Sequence, residues 1–446
     1  MTMFSETARQ IVHISMGAFA LLLRVLPWWQ AALCALAALL FNALVLPRAG
    51  GRAIIRPVDA SRGYPFGILI YPVSVLLLIL AFPARLDIAA GAWGILAAGD
   101  GAATLAGRRW GRHRLSWNPD KTLEGLLAFI AAGGAAAVFL TWWTAPAIVP
   151  PPPLAFVILA PLLAAVAAGL VETVPVALDD NISVPATAGA TLWLCSLVSE
   201  AAWQGHVDAV AANLAAALAV NTAAAAGGYL LRTVRLSGML TGWAIGVVVY
   251  AALGLAGWTL LFLTFAVATV TSRLGLKKKA LLGIAEARGG RRGGGNAFAN
   301  TGLAAIAAFA AVATPFREAA LVAFVAALAT GGSDTVASEI GKAWGGRTYL
   351  PLTLAEARPG TPGAVSLEGS AAGILGALAL AWAASLLGLV PAWTVWAIVG
   401  GAIAGSALES ALAATLEASR VVNNDLLNFI NTAAGAIAAI VIVRLS

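Results

Sequence analysis

The sequence predicts an all-α fold, a polytopic transmembrane helical bundle of about 13–15 membrane helices in two diverged, repeat-related halves. Three observations carry this. Of 446 residues, 61% are hydrophobic and only 11% charged, where a soluble domain carries roughly 25% charged residues. Mean hydropathy is +0.89, and apolar runs such as 31–46, 126–140 and 155–171 approach the roughly 20 residues needed to cross a bilayer. Acidic residues flanked by glycines recur in the same order in each half. An ordinary water-soluble enzyme is excluded.

Hydropathy places helices near 11–27, 30–46, 65–82, 86–106, 123–143, 154–172 and 186–204 in the first half. The second has them near 208–231, 238–256, 258–273, 296–313, 317–338, 367–388, 391–416 and 427–445. The first stretch has no small-residue cleavage site after it and is expected to be a retained helix. Abundant Ala and Gly favour close helix packing in lipid, because small side chains let backbones approach. The 27 basic residues outnumber the 20 acidic ones, and 19 of them fall in four connecting segments. These are marked by Arg48 to Arg62, Arg108 to Lys121, Arg273 to Arg292, and Lys342 to Arg358. By the positive-inside rule those segments face the cytosol, which predicts a cytoplasmic, inner-membrane protein. Its expected partners are membrane lipids and no nucleic acid. Cys34 and Cys195 lie in apolar segments and the three histidines are scattered, so neither a disulfide framework nor a zinc site is expected.

The two halves, 1–205 and 206–446, align through their polar stations. Gly99-Asp100-Gly101 running on to Gly107 and Gly111 resembles Gly332-Ser333-Asp334 running on to Gly341 and Gly345. A basic loop with proline follows each, ending in Thr122-Leu123-Glu124-Gly125 or Ser366-Leu367-Glu368-Gly369. The next span carries Glu172 with Asp179-Asp180-Asn181 behind it, or Glu409 with Asn423-Asn424-Asp425 behind it. The repeat is diverged: Asp100 precedes Glu124 by 24 positions, and Asp334 precedes Glu368 by 34.

A carboxylate in or beside a membrane helix is expensive to bury, so its default reading is a functional group facing a cavity or the bundle interior. Asp100, Glu124, Glu172 and Asp180 offer hard oxygen ligands that suit Mg²⁺ better than zinc. Glu124, just after Thr122, also fits a plain helix N-terminal cap. Residues 107–121 combine glycines, four arginines and Lys121, and residues 289–296 repeat the mixture more densely with Arg291, Arg292 and Asn296. Such loops suit polyphosphate, since glycine lets backbone N–H groups approach anionic oxygens and Arg grips them bidentately. Contact with anionic lipid is the plainer alternative. No P-loop, protein-kinase or dinucleotide fingerprint occurs.

Residues 1 to about 205 resemble the polyprenol kinase family that includes phytol and dolichol kinases. The likeness rests on Arg9 with His13, Gly99-Asp100-Gly101, the run 118–125, and Glu172 followed by Asp179-Asp180-Asn181 and Pro185. Residues from about 207 to 446 resemble the integral membrane family containing phytyl-phosphate kinase, through 289–300, Gly331 to Asp334, 362–369 and Asn423 to Asn428.

The resemblance implies CTP-dependent phosphorylation of an isoprenoid alcohol in the first half and of the resulting monophosphate in the second, with Mg²⁺ as cofactor. Phosphoryl transfer asks mainly for positioning and charge neutralisation. Asp100, Glu172 and Asp180 are therefore expected at the metal, Lys121 with Arg109 or Arg112 at the phosphates, and Asn181 in orientation. Glu124 is the expected base for the alcohol proton, with Asp100 as rival. In the second half Asp334, Glu409 and Asp425 are expected at the metal, Asp334 and Glu368 as catalytic groups, and Arg291, Arg292 and Asn296 at the phosphates. Two other functions share these features. A CTP-using lipid cytidylyltransferase would release pyrophosphate, and a transporter built from repeated halves would turn over no nucleotide.

Overall fold

The computed structural model describes residues 6–46, 48, 66–284 and 291–446. Arg52, Arg56, Arg62, Arg288, Gly289 and Gly290 lie outside the described residues. Two compact units divide the chain, Met1–Leu197 and Val198–Ser446. The sequence placed this boundary after residue 205. It falls earlier because Ser199 accepts from the Ala202 N–H to cap a short helix and donates its own N–H to Ala313 O at 2.9 Å, tying 199–204 to the second unit.

The first unit contains α1 (Glu6–Met16), α2 (Trp28–Leu40), α3 (Phe66–Ala81), α4 (Leu86–Gly94), α5 (Asp100–Trp110), a hairpin of β1 (Arg114–Leu115) and β2 (Asn118–Thr122), then α6 (Leu123–Thr144), α7 (Leu154–Glu172) and α8 (Asp180–Ser196). α4 and α5 form one continuous rod joined by a π-helical turn at Ile95–Gly99. The rod runs through the core, where Ile88, Ile95, Leu96 and Phe129 are fully buried. It touches α6 backbone to backbone: a Cβ on Gly133 would lie 3.2 Å from the Gly99 Cα. That approach fixes the height of Asp100, the next residue.

The second unit contains α9 (Glu200–Gln204), α10 (Val207–Leu230), α11 (Leu236–Arg273), α12 (Leu276–Leu281), α13 (Gly294–Ala313) and α14 (Arg317–Trp344). After these come three short strands β3 (Thr348–Tyr349), β4 (Glu356–Ala357) and β5 (Val365–Ser366), ordered β4-β3-β5, and then α15 (Leu367–Leu386), α16 (Val395–Leu412) and α17 (Asn424–Leu445). At 1.5 Å per residue a straight α11 would be about 57 Å long, nearly twice the hydrocarbon thickness. The chain breaks it at Gly254 (φ 63°, ψ −157°), a conformation open essentially to glycine. The two expected helices at 238–256 and 258–273 are its two arms.

Eleven of the described helices are long and apolar enough to cross a membrane. The chain is therefore an all-α polytopic membrane protein, with fewer full-length spans among the described residues than the expected 13–15. Three expected spans are shorter. Residues 11–24 divide between α1 and a 3₁₀ run at Gly17–Arg24, α3 has 16 residues and α8 has 17. α8 also sits earlier than expected, because Asp179 caps it by accepting from the Asn181 N–H. Lys279, read in the sequence as a loop charge, is fully buried: its ammonium donates to Ser272 O at 2.8 Å and pairs with Glu339 of α14.

Gly133→Leu is expected to push α6 off the π turn. Overpacking of this kind costs about 1–3 kcal/mol, and the thermal unfolding midpoint of the purified protein in detergent reads it. An unchanged midpoint would mean the contact beside Asp100 is loose.

Candidate functional site

The π turn has a chemical consequence. A wide turn leaves a backbone carbonyl without its usual intrahelical donor, and the ring of His13 on α1 lies 3.1 Å from Leu96 O through Nε2. A carbonyl only accepts, so Nε2 carries the proton. The same nitrogen lies 3.5 Å from Asp100 Oδ2. Tyr71 packs edge-on against the His13 ring, with centroids 4.7 Å apart, and takes a hydrogen bond from Trp93 Nε1 at 2.8 Å. Asp100 thus opens α5 with an imidazole N–H behind it.

Two further carboxylates reach Asp100 from different helices. Glu172 is the last residue of α7 and Asp180 the first of α8, and their oxygens and that of Asp100 all lie within 4.8 Å of one another. The hairpin delivers the cation. Trp117 Nε1 donates to Thr173 Oγ1 at 3.0 Å and Asn118 Nδ2 to Thr173 O at 3.1 Å, fastening the hairpin to the end of α7. Lys121 follows on β2, donates to Glu172 and lies 3.6 Å from Asp180. Thr122 then caps α6 by accepting from the Gly125 N–H at 3.1 Å.

Burial works against the charge on Lys121, but Asp180 and Glu172 outweigh it and hold the ammonium above the ordinary lysine range. Burial, opposed by Lys121 and reinforced by Asp100 and Glu172, pushes the Asp180 carboxyl up to about 7. Three hard oxygen donors against one ammonium fit a divalent cation of the Mg²⁺ type. The nearby imidazole is no competitor, since its Nε2–H is directed at Leu96 O.

Four expected residues of this half sit elsewhere. Glu124 is turned to His113, 2.6 Å from Nδ1 and accepting from the backbone N–H at 3.2 Å, so its carboxylate closes the loop instead of joining the cluster. This is the capping alternative, and it arises because Glu124 lies in the first turn of α6 beside Thr122. Arg109 lies exposed over the Trp110 ring, and Arg112 is exposed. Asn181 donates to Asp179 Oδ1 at 2.7 Å, and Ser74 holds its carbonyl, so it shapes the loop beside Asp180.

In the second unit Asp334 of α14 and Glu409 of α16 lie beside each other. Asn431 of α17 donates to Glu409. They face a cavity of about 590 Å³ whose wall also includes Arg292, Asn296, Lys342 and Asn428. Asn296 Oδ1, Asn428 Oδ1 and the Ser406 hydroxyl in that wall are buried without a protein partner. Of the other expected residues, Glu368 lies beside Gly346, Asp425 against Gly295, and Arg291 is exposed with Nη2 3.4 Å from Val234 O. None of these three lines the cavity. Asp425 joins α17 too early in its first turn to reach Glu409, which takes Asn431 instead.

Sequence reasoning passed over His13 as a partner of Asp100, Lys342, and Asn431. The available signal was a polar residue inside an otherwise apolar helix. For Lys342 it was the position eight residues after Asp334, on the same helix and close to its polar end.

Residues 218–436 match the family described as integral membrane protein DUF92. The chain is 38% identical over 201 residues to an uncharacterized membrane protein of Synechocystis sp., covering 44% of this chain and 78% of that one. It is 34% identical over 211 residues to Protein VTE6, chloroplastic, of Arabidopsis thaliana, covering 46% and 63%. It is 32% identical over 138 residues to a phytol kinase of Synechocystis sp., covering 29% and 55%. The chain thus spans less than two thirds of the latter two relatives. No solved structure matches it.

The Asp180 carboxyl, at about 7, must be ionised to bind a cation. Mn²⁺ affinity for this cluster is therefore expected to fall by up to roughly tenfold per pH unit below about 7 and to level off above it. Calorimetric titration between pH 6 and 8 checks this. Affinity independent of pH, or unchanged in Asp180→Asn, would remove Asp180 from the ligand set.

Proposed function

Because the chain belongs to the integral membrane family DUF92 and is similar to a protein named phytol kinase, we propose that it is a membrane kinase acting on isoprenoid lipids. In this reading the first unit phosphorylates an isoprenoid alcohol and the second phosphorylates the monophosphate. CTP is the phosphate donor and Mg²⁺ the cofactor, and both sites open to the cytosol, the side the basic loops favour. The carrying observation is the convergence of Asp100, Glu172 and Asp180 within 4.8 Å around Lys121.

The chain's own groups divide the work. The alcohol hydroxyl comes to Asp100, which takes its proton, with the His13 ring 3.5 Å from the carboxylate. Lys121, steadied between Glu172 and Asp180, presents positive charge to the transferring phosphate. Glu172 and Asp180, with Asp100 completing the set, would hold Mg²⁺, which supplies charge neutralisation on the phosphate oxygens when bound. With Glu124 engaged by His113, Asp100 is the better base. In the second unit Asp334 and Glu409 face the cavity with Lys342, Arg292 and Asn296, and the Ser406 hydroxyl is available to a phosphate oxygen.

Local geometry supports descent of the two halves from one unit. The helix bearing Asp100 ends at Gly111, whose N–H bonds Gly107 O at 3.1 Å; the helix bearing Asp334 ends at Gly345, whose N–H bonds Gly341 O at 2.8 Å. Thr122 and Ser366 each cap the following helix through a Gly N–H at 3.1 Å. A cytidylyltransferase would use similar groups but would leave a nucleotidyl group on the lipid.

Purified protein incubated with γ-labelled CTP, an isoprenoid alcohol and Mg²⁺ is expected to label the lipid; label retained only from α-labelled CTP would favour the cytidylyltransferase. Asp100→Asn is expected to abolish monophosphate formation, a loss of at least about 10²-fold for removal of a general base, while added monophosphate is still converted. Asp334→Asn is expected to accumulate monophosphate. Undiminished diphosphate from Asp334→Asn would remove the two-site reading.

A further inference from the structure

A second cavity of the Val198–Ser446 unit borders the polar one. It has a volume of about 150 Å³ and lies between the two arms of α11, with α10, α13 and α14 completing its wall. Met239, Trp243, Trp258, Phe262 and Phe265 make the wall apolar and aromatic. Asn221 and Thr264 of this wall have their hydrogen bonds met within the protein. Asn221 accepts from Trp258 Nε1 at 3.0 Å and donates to Ala217 O at 2.8 Å, and Thr264 Oγ1 donates to Leu260 O at 2.9 Å. At one end the lining changes to Arg292, Asn300 and Thr335, and the same three residues line the 590 Å³ cavity that holds Asp334 and Glu409.

We propose that this apolar cavity binds the phosphate-bearing isoprene unit of the monophosphate acceptor, with its phosphate at Arg292 and Asn300, and that the rest of the chain lies in the bilayer and goes unread. The proposal rests on the kinase reading above. Size sets the occupant: an apolar cavity of about 150 Å³ takes a benzene-sized guest, and a five-carbon isoprene unit is of that order. Charge sets its direction, because Arg292 stands where the apolar wall meets the polar cavity. Gly242 belongs to the cavity's lining, and a Cβ there would meet nothing within 4 Å, so a larger side chain can be built at that position.

The test measures equilibrium binding of radiolabelled geranyl, farnesyl and geranylgeranyl monophosphate to the full chain in detergent, without nucleotide. Wild type is expected to bind the three within about threefold of one another. Gly242→Leu is expected to weaken all three alike, by about tenfold or more, the scale on which filling a hydrophobic pocket acts. Met239→Trp fills the same space from another position and is read the same way should Gly242→Leu fail to fold, as judged by its thermal midpoint. A loss confined to the longest chain, no loss in either folded variant, or equal competition by phosphatidic acid would overturn the assignment. Tight binding weakened by Gly242→Leu, in a protein that transfers no phosphate, would keep the cavity's role and overturn the kinase reading.

Discussion

Everything in the first unit follows from the electrostatics of three carboxylates meeting at the end of a membrane bundle. Such groups repel one another and are costly to withdraw from water, so the fold must supply positive charge where they meet. Lys121 supplies one. Once Asp180 is ionised, three anions and one ammonium leave an excess of negative charge, and that excess makes the cluster a receptor for a further cation instead of a closed ion-pair network. The surrounding construction serves this point. The Gly99–Gly133 contact sets the height of Asp100, the π turn turns Leu96 O toward His13, and Trp117 and Asn118 carry Lys121 to the end of α7.

The second unit meets the same constraint differently. Its two acids are neighbours, Asn431 donates to one of them, and the cavity before them is large and polar. Its buried cation, Lys279, is spent on Glu339 in a contact that ties α12 to α14, away from that cavity. Lys342 shares Glu339 at 3.4 Å and also reaches the cavity wall. A site that receives an acceptor already bearing phosphate gains from this arrangement, since cations at the wall meet two anionic substrates.

The membrane class and most helices were legible because hydropathy reports burial in lipid directly; the apolar stretch 238–273 was readable as two helices, although the break falls at Gly254, inside the first of them. Asp100, Glu172 and Asp180 stood out for a physical reason: an acid beside an apolar run needs a partner. Glu124 and Glu368 carried the same signal for a different cause, since each follows a Thr or Ser cap in the first helical turn, where a carboxylate is at home without any ligand. Asp425 illustrates the limit of aligning halves by residue type. It keeps the order of the acidic stations, yet its place in α17 sets it against Gly295, while Asn431, two turns on, meets Glu409. The His13–Leu96 contact depends on a π turn that no periodicity in 95–99 announces.

The central claim is that Asp100, Glu172 and Asp180 with Lys121 form a cation-dependent phosphate site. Anomalous diffraction from crystals of the protein grown with Mn²⁺ and a non-hydrolysable CTP analogue tests it most directly. The account predicts an ion among those three carboxylates, with a phosphate oxygen within reach of Lys121, and its loss in Asp100→Asn. An ordered analogue bound elsewhere, with Lys121 still closing the acidic cluster by itself, would contradict it.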